Sequence, residues 1–177
     1  MSKVFFGSAQ VPELKWQSTL PGKLDTILDK LDITEELKGK RVCIKMHLGG
    51  NVGYTTIHPV FVRRLVSFIK AAGGRPFVTD NHQAALTAHE RGYTQETIGC
   101  PIIPAAGAAD KYYHTQAVDY KNLKELRIAG EMWDADYLVC FSHAKGHGNS
   151  GFGGAIKNLA LGAMIEKSRG ALHMVQH

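Results

Sequence analysis

The stretch Asp136-Tyr-Leu-Val-Cys-Phe-Ser-His143-Ala-Lys145-Gly-His147-Gly-Asn-Ser-Gly151-Phe-Gly153-Gly154-Ala-Ile-Lys157-Asn158 reads as a strand, a glycine-rich loop and a helix in succession. Its apolar run, Tyr137–Ser142, ends in two histidines and a lysine. Lys157 follows near the start of the helical segment. Strand–loop–helix junctions of this kind gather backbone N–H groups, so they suit anions and cofactors. The glycines do not follow the Gly-x4-Gly-Lys-Ser/Thr order of a Walker loop. A Gly-x-Gly-x-x-Gly match at Gly146, Gly148 and Gly151 comes late after the strand, and no acidic ribose partner follows it.

Upstream, the same alternation repeats. Lys3–Gly7 has the character of a short first strand, and Leu24, Ile27, Leu28 and Leu31 space a helix over 23–31. Arg41–His47 reads as a buried strand, followed by a flexible loop over Leu48–Tyr54. Thr56 or His58 opens a helix with Pro59 in its first turn. Val62, Leu65, Val66 and Ile69 form its stripe, and Gly73-Gly74 stops it. Arg75–Asp80 is the next strand, with a helix around Gln83–Arg91 and a short strand near Pro101–Pro104. His114–Asp119 and Leu126–Ile128 suggest a hairpin excursion, and the helix after Gly154 is expected to run to about Lys167. Strands and helices joined this closely imply an α/β domain: a mostly parallel sheet with helices on both faces, three-layered and Rossmann-like.

With 177 residues, 44% of them hydrophobic, the chain can bury one core, and one domain over 1–177 is expected. No apolar run approaches the ~20 residues of a membrane span. Cys43, Cys100 and Cys140 are odd in number and widely spaced, which suits reduced thiols in a cytoplasm. The formal charge of +5 is spread along the chain, without an arginine-rich arm or aromatic interleaving. Such a distribution argues against nucleic-acid binding and for a pocket that takes a small anionic ligand.

Ligands of open parallel sheets bind beyond the carboxyl ends of the strands. Three expected strands finish there with histidine: His47, His82, and the pair His143 and His147. Imidazole can transfer protons or ligate borderline metals. His143 and His147 have the His-x-x-x-His interval but lie among a strand end and glycines, so a metal site would have to be assembled from several loops. Lys145 or Lys157, with Gly151, Gly153 and Gly154, would supply the anion contacts. Lys45 is expected to be buried or pocket-facing, on the same strand face as Cys43 and His47. Asp80 and Asn81 close a strand, where a turn competes with ribose or metal binding. His58, His89 and His114 read as structural or surface residues.

Lys45-Met-His47, His58-Pro59, Ala71-Ala-Gly-Gly74, Val78-Thr-Asp80, Gly92-Tyr93, Asp134-Ala-Asp136, Ser142–His147 and Gly151–Asn158 fall in one order. Together they resemble the "domain of unknown function 362" family, over roughly residues 40–177. Many members of that family carry a ferredoxin-type iron–sulfur segment, so the resemblance implies a ferredoxin-type partner. This chain has no Cys-x-x-Cys, hence no cluster motif of its own. Its ending at Leu172–His177 leads to the expectation of a truncated product or one module of a longer protein.

A more distant likeness is to nickel-pincer-nucleotide lactate racemases, through His147, Gly151-Phe-Gly-Gly154 and Lys157. That resemblance implies a lysine tether at Lys157, a metal ligand at His173 before Met174, and two acid–base histidines at His82 and His147. The racemases' Asp and Arg have no counterpart near Met46–Gly49, so shared ancestry of fold is expected rather than racemase activity. The combined expectation is a strand-end pocket for a metal-containing or phosphorylated organic cofactor, serving redox or proton-transfer chemistry. The rivals are a non-catalytic module for a ferredoxin-type partner and a metal-free anion- or nucleotide-binding enzyme. A homo-oligomer is compatible with all three.

Overall fold

A computed structural model describes residues 3–50, 55–121, 123–148 and 150–175, with the side chains of His173 and Val175 outside the described set. Part of the loop expected over Leu48–Tyr54 therefore lies outside the described residues. In chain order the elements are α1 (Leu20–Lys30), α2 (Thr34–Leu37), β1 (Arg41–Lys45), α3 (Pro59–Ala71), β2 (Arg75–Asp80), α4 (His82–Leu86), α5 (Gln95–Ile98) and β3 (Ile102–Pro104). They continue with β4 (Tyr113–Tyr120), β5 (Leu123–Ala129), α6 (Gly130–Trp133), β6 (Tyr137–Cys140), β7 (Gly146–His147), β8 (Gly151–Phe152), α7 (Gly154–Ala160) and α8 (Glu166–Val175).

The main sheet has the order β3-β2-β1-β6, and all three pairings are parallel. The chain winds from β1 to β2 to β3, then returns past β1 to lay down β6. The order therefore reverses between β1 and β6, which is the place where such sheets open a crevice. Alternation in β1 sends Val42 and Ile44 into one core, with Met46 beyond them, and Cys43 into another. The first core contains Leu28 of α1 and Val62, Leu65, Val66 and Ile69 of α3. The second contains Phe77, Met132 of α6, Ala163 and Ile165, with Leu159 of α7 against it. Both faces of the sheet are covered, which is the expected three-layer, Rossmann-like α/β arrangement.

Local chemistry fixes several boundaries. His58 Nδ1 accepts from Val60 N at 3.2 Å and caps α3, whose first residue is Pro59. Gly73 at φ 79 ends the turn that follows. A side chain at Gly74 would meet Ile69 at 2.7 Å, so a second glycine is needed there. The expected hairpin forms as antiparallel β4–β5.

Two expectations fail. No strand forms at Lys3–Gly7, where Val4 and Phe6 remain exposed without a sheet partner. The last helix does not continue to Lys167. It stops at Ala160 because the chain turns to join the edge of β5 instead. Ala129 N donates to Ala163 O at 2.8 Å, Met164 bridges Ile128, and Ile165 N donates to Arg127 O at 3.2 Å. These bonds replace the helical ones that 161–165 gives up, and α8 starts afresh at Glu166.

Candidate functional site

A cavity of about 520 Å³ opens at the carboxyl ends of β1, β2 and β6. Its wall takes Lys45 and His47 from the end of β1, Asp80 and Asn81 from the end of β2, and His143, Lys145 and His147 from the segment after β6. Gly153, Gly154, Lys157, Asn158 and Gly162 come from α7 and its flanks, and Glu166 and Arg169 from α8. The cavity thus straddles the reversal in strand order, as the topology requires.

The floor is a hydrogen-bonded lock. Lys45 is 1% and Asp80 2% exposed, and the ammonium donates to Asp80 Oδ1 at 2.9 Å, Asn158 Oδ1 at 2.7 Å and Met46 O at 2.9 Å. All three of its protons are thereby committed, which is what makes a fully buried lysine tolerable. Asp80 accepts in addition from Leu48 N and Asn81 N, each at 2.8 Å. Burial works to raise the Asp80 pKa. The Lys45 charge, the hydrogen bonds from His47 and Lys45 and the Leu48 amide outweigh it and hold the carboxyl at about 2. His47 brings Nδ1 to 3.5 Å from Asp80 Oδ2 while its ring stays half exposed in the cavity wall.

Asn158 ties the elements together. Its Nδ2 donates to Lys45 O at 3.1 Å and to Ser142 Oγ at 2.9 Å, joining β1, the segment after β6, and α7. Gly162 follows from the same crowding: a Cβ there would come within 2.5 Å of Lys45 Nζ.

Above the floor the wall is cationic. Lys145, Lys157 and Arg169 face the cavity, and among the described residues none of the three has a carboxylate ion-pair partner. Lys145 donates to Thr55 Oγ1 at 2.9 Å. The Lys157 pKa is lowered, first by burial and then by the charge of Lys145, with Lys45 and Arg169 adding to the effect against the opposing pull of Asp80. Four basic side chains therefore line the cavity, against two carboxylates among the described residues, Asp80 and Glu166, and Asp80 is already bound to Lys45.

Of the residues expected to form a site, His147, Lys145, Lys157, Gly153 and Gly154 share this cavity. Gly151 lies outside the lining, at φ 67 in the small β7–β8 hairpin. His82 is the first residue of α4 and also lies outside the lining. Its Nδ1 is buried and has no hydrogen-bond partner among the described residues. The His173 side chain is outside the described set. Among the described residues no three histidine, cysteine, aspartate or glutamate side chains converge to hold a metal. His58 is a helix cap, and His114 stacks on Trp133 with ring centroids 5.5 Å apart.

Asp80, Asn158, Gly162 and Arg169 carry more of the site than their local sequence suggests. Asp80 looks like a turn residue, and it does accept from the amide after it, but its main partner is 35 positions away. Arg169 belongs to a helix that the expected end of α7 near Lys167 conceals.

The family model for the domain of unknown function 362 matches residues 42–177. A curated relative, the thylakoid-associated protein sll1697 of Synechocystis sp., is 28% identical over 144 residues, an alignment covering 77% of this chain. The chain spans 43% of that relative's length. No solved structure matches. Among the described residues no helix is long and apolar enough to cross a membrane. With its parallel sheet and strand-end cavity carried on residues 42–177, the chain belongs to the domain of unknown function 362 family.

Proposed function

We propose that the strand-end cavity binds a small organic anion, bearing phosphate or carboxylate, and that its imidazoles move a proton on that ligand. One observation carries this reading: Lys145, Lys157 and Arg169 converge on a cavity with no carboxylate partner of their own among the described residues. Burial first, and then the neighbouring charge of Lys145, lowers the Lys157 pKa, and a bound anion would offset both. The backbone at Gly153 and Gly154 lets the ligand come close to the wall, where His143 and His147 stand as proton carriers.

Proton transfer is favoured over redox chemistry by the lining itself. It holds imidazoles, amines and carboxylates, while Cys43, Cys100 and Cys140 stand outside it. The three free thiols suit a reducing compartment, in keeping with a cytoplasmic protein. A phosphorylated organic cofactor fits the charge of the site. Among the described residues no group of three or more metal-ligating side chains forms, which supports an organic anion over a directly ligated metal in this reading.

The test is thermal unfolding of the protein with inorganic pyrophosphate, against sodium chloride at matched ionic strength. A ligand that binds only the folded state stabilises it by about 2.7 kcal/mol at a hundredfold excess over Kd. A concentration-dependent rise in Tm supports the proposal. Equal curves in the two salts contradict it.

A further inference from the structure

We infer that His47 and Asp80 form a proton-transfer dyad, with His47 Nε2 as the base that acts on the bound anion and Asp80 as the residue that positions it. Three observations converge. His47 Nδ1 lies 3.5 Å from Asp80 Oδ2, so the ring turns one nitrogen to the carboxylate and leaves the other for the cavity that His47 lines. Asp80 is 2% exposed and fixed by Lys45, Leu48 N and Asn81 N, which leaves it no freedom to swing away. The cations that would hold the ligand's charged group line the same cavity.

A carboxylate behind an imidazole fixes its tautomer. With Nδ1–H donated to Asp80, the Nε2 lone pair is the one presented to the ligand. Lys45 keeps Asp80 an anion, so the carboxylate orients and balances the imidazole without taking its proton. The step is simple: a C–H or O–H bond beside the ligand's anionic group breaks, and the proton bonds to Nε2. The electron pair stays on the ligand, where Lys145 and Lys157 face the new charge. Return of the proton to the ligand or its product restores the neutral ring. The substrate class is therefore an organic anion with an acidic proton next to its charged group, and this identification of the class rests on the anion-binding reading.

The dyad is tested apart from that reading by nitrogen-15 NMR of the histidines in mildly alkaline buffer, with the His47 signal assigned by its loss in His47→Gln. Asp80→Asn can fail to fold, so the decisive measurement uses the unsubstituted protein. A protonated Nδ1 with a bare Nε2 supports the dyad, and the opposite tautomer overturns it. In parallel, diethyl pyrocarbonate modification of His47 is followed by peptide mass with and without inorganic pyrophosphate. A protection of about tenfold or more supports the substrate class. Unchanged modification with the Nδ1–H tautomer present overturns the anion reading and leaves the dyad standing.

Discussion

Asn158 Oδ1 accepts a hydrogen bond from the Lys45 ammonium at 2.7 Å, joining residues 113 positions apart at the floor of the cavity. The same amide returns a bond from Nδ2 to the Lys45 carbonyl, so β1 and α7 are fastened to each other in both directions. Lys45 is thus a structural cation, and in the proposed anion site the ligand-facing charge falls to Lys145, Lys157 and Arg169.

The Lys45–Asp80 pair should behave as a buried ion pair in denaturant. Asp80→Leu alone leaves the ammonium unbalanced and should cost about 3–5 kcal/mol, whereas Lys45→Met with Asp80→Leu should recover most of that loss. Urea unfolding of the two single variants and the double variant measures the coupling. Additive costs would show that the pair is not energetically linked.

Acid should expose the same pair. The folded Asp80 pKa, about 2, lies below its ordinary 3.8. A lowered carboxyl adds stability that is complete above the unfolded value and is lost as pH falls through the folded one. The contribution is roughly 2 kcal/mol, present above pH 3.8 and gone below about 2. Chemical unfolding across that window should show this loss in the natural sequence and a correspondingly shallower loss in the Lys45→Met/Asp80→Leu variant.

Gly162→Ala places a methyl group within 2.5 Å of Lys45 Nζ, against a side chain with no room to retreat. Overpacking of this kind costs about 1–3 kcal/mol. We expect a lower Tm together with weaker pyrophosphate binding, because the displaced lysine disturbs Asp80 and Asn158. Gly148→Ala, with open space at its Cβ, is the control and should change neither.

Thiol reactivity should follow burial. Burial pushes the Cys43 thiol up to about 12 and the Cys100 thiol to about 11, against the lowering pull of nearby cations. Ellman's reagent should therefore titrate Cys140, which is partly exposed, in the native protein and reach Cys43 and Cys100 only after unfolding. Rapid reaction of all three native thiols would mean that the two cores open readily.

The fold was legible where local signals agreed. β2 and α3 follow from an apolar run or stripe bounded by Pro59, Gly73 and Gly74, and the hairpin from its alternation. The break after Ala160 was hidden, because nothing near Gly162 reveals that Lys45 packs against it or that residues 163–165 bond to β5. The site was half legible for the same reason. Strand-end histidines, the glycine loop and Lys157 announce themselves locally. Pairings such as Lys45 with Asp80 and Asn158 depend on strand order, which a single chain of letters does not display.

The cationic wall is tested most directly by calorimetric titration of inorganic pyrophosphate into the protein and into its Lys157→Gln and Arg169→Gln variants. A charge-assisted contact is worth about 1.5–3 kcal/mol, so each substitution should weaken binding by roughly tenfold or more. Affinity should also fall as salt is raised. Pyrophosphate binding that is absent from the natural sequence, or undiminished in both variants, would contradict the account.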